Sequence, residues 1–86
     1  MILKFDEFTK AKDLVDKIIK ETPIDDIRAE LEKATQDITD NETKRSFYNH
    51  LSSLFLNVML NRLEELGKDA KDKSTRARQV INDIIR

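Results

Sequence analysis

Between Arg45 and Arg62 the chain carries no Asp, Glu, Lys or Arg, although 38% of its 86 residues are charged. Leu54, Phe55, Leu56, Val58, Met59 and Leu60 make this run apolar almost all the way round. A helix that is apolar on every side belongs in an interior, with other helices wrapped about it. A membrane span needs about 20 mostly apolar residues, and the Ser, Asn and His residues here interrupt the run too often for that. The feature predicts a buried rod at the centre of a helical bundle.

The ends of that rod are marked. Thr39-Asp40-Asn41-Glu42 reads as a capping box, with the Thr39 hydroxyl accepting from the backbone at Glu42. Gly67, the single glycine, reads as a left-handed cap that ends the helix. At about 100° per residue, Phe47, Tyr48, Leu51, Leu54, Phe55, Val58 and Met59 share one broad face. Leu56, Leu60 and Leu63 form a second stripe on the opposite side, which something else must cover.

Two amphipathic segments precede the rod. Phe5, Phe8, Leu14, Val15, Ile18 and Ile19 recur at helical spacing, and Thr22-Pro23 reads as a boundary. Ile24, Ile27, Leu31, Ala34 and Ile38 then follow at steps of three and four, a narrow seam with acids on the other side. After Gly67, KDAKDK reads as a polar linker, and Ala77, Val80, Ile81, Ile84 and Ile85 define a last amphipathic helix. Folded back, that helix is expected to cover Leu56, Leu60 and Leu63; left open, the stripe is a docking surface for a partner or a second copy.

The fold class is therefore all-α: a small three- to four-helix bundle around a long central third helix, in one domain spanning 1–86. The helices are expected at about 6–20, 23–36, 40–66 and 75–85, with a linker at 67–74. One Gly and one Pro leave little room for hairpins or phosphate loops, and the absence of cysteine excludes disulfides and thiolate metal sites. Lys4, Asp6 and Glu7 interrupt the start before an apolar signal core can form, so a cytoplasmic setting is expected.

No catalytic pattern is present. His50 stands alone and reads as a hydrogen-bonded structural residue. Asp25/Asp26 and Glu64/Glu65 are sequence neighbours, which point in different directions on a helix and form no carboxylate dyad. Arg62 projects toward the apolar face, either snorkelling out or pairing with an acid. The expectation is a protein without enzyme activity and without a cofactor or metal.

Charge is more informative than chemistry. The net charge is −1, yet Glu21 to Glu42 carries eight acids against Arg28 and Lys33, a local net of −6. Such a segment suits a basic partner and repels phosphate backbones. The candidate contact residues are Asp25, Asp26, Glu30, Asp37 and Asp40. Direct nucleic-acid binding would rest on Lys68, Lys71, Lys73, Arg76 and Arg78, but Asp69 and Asp72 interleave with them and no aromatic partner is near in sequence. Such binding is expected to be weak or absent.

Several of these residues also form a pattern: Ile24-Asp25, Ile27, Leu31, Glu32-Lys33, Ile38, Asp40-Asn41-Glu42, then Phe47-Tyr48, Asn61 and Leu63. Across about half the chain it resembles the Hha/YmoA family, small all-helical modulators of bacterial nucleoid proteins. The opening MILKFDEF resembles the starts of small T-even phage proteins, some of them bundles of that type. The family's Ala-Asp-His-Arg segment after the aromatic pair is replaced here by apolar and Ser residues around Leu51 to Leu56. The resemblance implies a non-enzymatic module that docks its acidic surface on a basic site of a nucleoid-associated or DNA-processing protein. Two other readings stand beside it. One is a bacteriocin-immunity-like four-helix bundle, in which loss of residues from Ser74 onward leaves the first three helices folded. The other is a homodimerising module built on Leu56, Leu60 and Leu63.

Overall fold

The computed structural model describes residues 5–61 and 63–86, with side chains described for 8–60 and 67–86. It is an all-α bundle: α1 (Phe5–Glu21), a 3-10 turn (Ile24–Asp26), α2 (Ile27–Thr35), α3 (Asn41–Asn61) and α4 (Leu63–Ile85). No strand occurs among the described residues. No described helix is long and apolar enough to cross a membrane.

α1 forms as its periodicity predicts. Ala11, Leu14, Val15, Ile18 and Ile19 are buried, while Phe8 stays 40% exposed near the start. Phe5 is placed in the helix, but its side chain lies outside the described residues. The helix ends at a proline for a specific reason. The Thr22 amide still donates to the Ile18 carbonyl at 3.3 Å, but the next amide is missing because residue 23 is Pro.

The expected helix over 23–36 divides in two. Pro23 is extended (φ −61°, ψ 150°) and precedes a 3-10 turn closed by Asp26 N–H to Pro23 C=O at 2.9 Å. The α-helix begins only at Ile27, so Ile24 falls off the seam and is 38% exposed. Ile27, Leu31 and Thr35 are buried, and Ala34 and Ile38 pack partly against the core.

α3 starts one residue later than the capping box implies. Its cap is Asp40, not Thr39: the Asp40 carboxylate accepts from the Thr43 amide at 2.9 Å and from the Thr43 hydroxyl at 2.6 Å. Aspartate is a strong N-cap, and two donors on one residue fix the choice. Phe47, Tyr48, Leu51, Phe55 and Val58 are buried and Leu54 packs beside them, as the broad-face reading expects. The rod is nevertheless not enclosed on all sides. Asn49, Ser53, Asn57 and Leu60 are exposed, so Ser and Asn provide a polar face without charge.

α4 closes the core. An unbroken run from Asn41 to Ile85 would extend about 66 Å at the helical rise, whereas the longest dimension of the molecule is 36 Å. The chain therefore folds back, and Ala70, Ser74, Ala77, Val80 and Ile81 are buried against the other helices. The small side chains at 70, 74 and 77 allow close approach, since interhelix distance follows side-chain size. Two expectations are corrected. Residues 67–74 are helical apart from Gly67, not a linker. Nor can loss of residues from Ser74 onward leave the first three helices packed, because it removes the buried Ala77, Val80 and Ile81.

Gly67 interrupts α4 at φ 81°, ψ −176°. This is the extended positive-φ region, open essentially to glycine alone, rather than the left-handed cap. A Cβ placed there would meet nothing within 4 Å, so the requirement for glycine is conformational and not steric.

Candidate protein-docking surface

The five candidate acids have different environments. Asp25 and Asp26 sit in the 3-10 turn ahead of α2, and Asp37 lies in the turn after it; all three are exposed. None of the three forms an ion pair with a basic group among the described residues. Glu30 is half-buried, and Lys17 on α1 donates to its carboxylate at 3.1 Å. Asp40 is exposed but engaged as the α3 cap, and the Thr43 hydrogen bonds hold its carboxyl below the usual carboxylate range. The acids are also split along the molecule. α2 separates Asp25 and Asp26 from Asp37 and Asp40, and nine residues of helix rise about 14 Å.

The acids do not form an unbroken negative field. Between α1 and α2 a groove is lined by Lys10, Lys17 and Lys33 as well as Glu30 and Asp37. Arg28 bridges Glu32 at 4.0 Å and Asp83 of α4 at 3.7 Å, all with exposed side chains. Exposed pairs of this kind contribute little, about 0–1 kcal/mol. The free negative charge is therefore concentrated at the two ends of α2.

The second candidate surface is only partly where expected. α4 approaches α3 at Ser52 and Met59, one turn to either side of Leu56: Arg78 Nε donates to Ser52 Oγ at 3.3 Å, and the Thr75 hydroxyl approaches Met59 Sδ at 3.9 Å. Leu56 is half-buried and Leu60 is 70% exposed. The side chain of Leu63 lies outside the described residues, as does Arg62 with the pairing expected for it.

The basic cluster of α4 is dispersed. Lys68, Lys71 and Arg76 are exposed beside the exposed Asp69 and Asp72, and Arg78 is drawn to Ser52. Lys73 points inward. Its side chain is 10% exposed and its Nζ donates to the Ile19 carbonyl at 3.1 Å, with Asp69 at 3.5 Å. Ile19 is the residue whose carbonyl would accept from the amide of residue 23, and Pro23 has none. Lys73 therefore satisfies an orphan carbonyl at the C-terminus of α1, where a cation also suits the helix dipole. The signal was present: residues 70, 73, 77, 80 and 84 repeat at steps of three and four, but a lysine in a polar stretch obscured the seam.

Other polar groups serve the core. The Tyr48 and Thr35 hydroxyls are 2.7 Å apart, joining α3 to α2, and the Thr35 hydroxyl lies 3.0 Å from the Leu31 carbonyl. Burial raises the Tyr48 phenol above its ordinary range, with Thr35 opposing that shift. His50 meets Phe8 edge to face, ring centres 4.8 Å apart. Among the described residues no three His, Asp or Glu side chains gather closely enough to hold a metal ion. The chain matches no protein-family model, no curated protein and no solved structure.

Proposed function

We propose that the protein is a non-enzymatic interaction module that presents its acidic segment to a basic site on another protein. The observation that supports this is the exposure of Asp25, Asp26 and Asp37 without ion-pair partners among the described residues. Unpaired carboxylates at a surface keep their full charge for a partner, and charge complementarity supplies steering and specificity. Glu30 and Asp40 support the surface indirectly, one by joining α2 to α1 and the other by capping α3. The resemblance to Hha-type modulators makes a nucleoid-associated or DNA-processing protein the class of partner this reading names.

The test is capture of partners at low and at high salt by the wild type and by an Asp25→Asn, Asp26→Asn, Asp37→Asn variant. Glu30 is left intact so that its contact with Lys17 is kept. The reading expects a basic captured protein, released by salt and lost in the triple variant. Capture that ignores salt, or that the triple variant retains, refutes it.

A further inference from the structure

One cleft of the bundle sets positive charge beside an apolar floor. It lies where the start of α3 meets the end of α4 and has a volume of about 190 Å³. Asn41, Lys44 and Tyr48 line it from α3 at steps of three and four, with Arg45 on their flank, and Ile84 and Ile85 close it from α4. The two isoleucines pack only partly against the core, and the Tyr48 hydroxyl is already engaged by Thr35. Lys44 is half-buried and Arg45 is exposed. Neither forms an ion pair among the described residues. The neighbouring acids are turned elsewhere: Asp40 caps α3 through Thr43, Asp83 faces Arg28 at 3.7 Å, and neither they nor Glu42 line the cleft.

We propose that this cleft docks an acidic segment of a partner protein, one aliphatic side chain of which rests on Ile84 and Ile85 while flanking carboxylates meet Lys44 and Arg45. Charge complementarity gives the sign of the occupant. Cations without a counter-charge steer and select carboxylates and repel a basic segment, and an arginine can hold a carboxylate through two parallel hydrogen bonds. Size decides between a peptide and a metabolite. Sites that enclose a whole small molecule run to about 300–1,000 Å³, so this cleft takes one side chain. The Asn41 amide offers a donor and an acceptor to the backbone of the segment. A nucleic-acid strand would require a basic track with open aromatic faces for stacking, whereas the cleft has two cations and its tyrosine is buried.

The cleft is opposite in sign to the exposed acids at the ends of α2, so the chain presents two surfaces to unlike partners. Different residues form the two surfaces, and the two readings stand or fall separately. One anchor and two charged contacts make a small interface, and the expected dissociation constant for an isolated peptide is about 0.1–1 mM.

The test is an amide NMR titration of the purified, isotope-labelled chain with a peptide of one leucine flanked on each side by two glutamates. Saturable shifts should centre on Asn41, Lys44, Arg45, Ile84 and Ile85, and binding should weaken as salt is raised. Arg45→Glu should weaken it by about tenfold or more, with helical content and melting unchanged because the side chain is exposed. If that variant perturbs folding, Lys44→Gln decides. Two altered peptides probe the floor and the rim without touching the protein. One carries serine for the leucine and the other lysines for the glutamates, and each should bind at least about tenfold more weakly. No saturable shift up to about 5 mM peptide overturns the proposal, as does binding untouched by both substitutions or equal binding of either altered peptide. Hexanoate that binds the cleft as tightly as the peptide assigns it to a small aliphatic acid, and equally overturns it.

Discussion

Replacing Lys73 by Met separates the ammonium from the stem that carries it. The stem is buried and methionine fills a similar volume, so core packing is largely kept. What is lost is the 3.1 Å hydrogen bond to the Ile19 carbonyl, which has no backbone donor because residue 23 is Pro. A hydrogen bond from a charged group contributes about 1.5–3 kcal/mol, and a cation at a helix C-terminus adds roughly 0.3–1 kcal/mol. Against this, methionine escapes the desolvation cost of a buried ammonium, which offsets part of the loss. The Asp69 contact adds little, because that carboxylate is 73% exposed. The net expectation is a loss of about 2 kcal/mol, which in a domain of this size lowers Tm by roughly 8–16 °C. Urea unfolding followed by circular dichroism should show a lower midpoint at unchanged slope. Lys71→Met, two residues away and exposed, is the control and should stay within about 0.5 kcal/mol of wild type. A Lys73→Met protein as stable as that control refutes the capping role.

Four further outcomes follow from buried or capping groups. Ser74 is fully buried and its hydroxyl has no hydrogen-bond partner among the described residues, so Ser74→Ala should raise unfolding free energy by about 1 kcal/mol. Tyr48→Phe removes the hydroxyl paired with Thr35 and should cost about 1–2 kcal/mol in urea unfolding. Tyr48 is the only tyrosine, so ultraviolet titration reports it alone, and the folded phenol should ionise above the ordinary tyrosine range. Because that folded pKa is raised, the stability it contributes is fully present below the unfolded value and is lost as pH rises through the folded one. Asp40 has the opposite sign: its folded pKa is depressed, so its contribution is present above the ordinary carboxylate range and lost as pH falls through the folded value. Asp40→Asn keeps a capping side chain and should flatten that acid limb in a pH series of urea midpoints; an unchanged limb refutes the assignment.

Residues whose role depends on their own helix were legible in the sequence. Leu14, Val15 and Ile18 on α1, and Phe47, Leu51 and Phe55 on α3, follow a 3.6-residue period and are buried as that period predicts. Residues whose role depends on another element were not. Lys73 belongs to an apolar seam but answers a carbonyl 54 residues earlier, so its own surroundings read as linker. Glu30 reads as surface charge until α1 brings Lys17 against it. The unfilled side of α3 was visible as an uncharged stripe, but its cover was misplaced, because α4 aligns on Ser52 and Met59 rather than on Leu60. Among the candidate acids, Asp40 could have been recognised as a cap, since Thr43 stands three residues after it.

The position of α4 in chain order has a consequence for synthesis. Ala70, Ala77, Val80 and Ile81 leave the ribosome after the other three helices are complete, yet the interior cannot close without them. Until they emerge the shared core lacks four of its buried side chains, and nascent chains stalled near Gly67 should be clients of holding chaperones and open to proteases. Closure of this bundle thus waits for α4, which follows the other described helices in chain order.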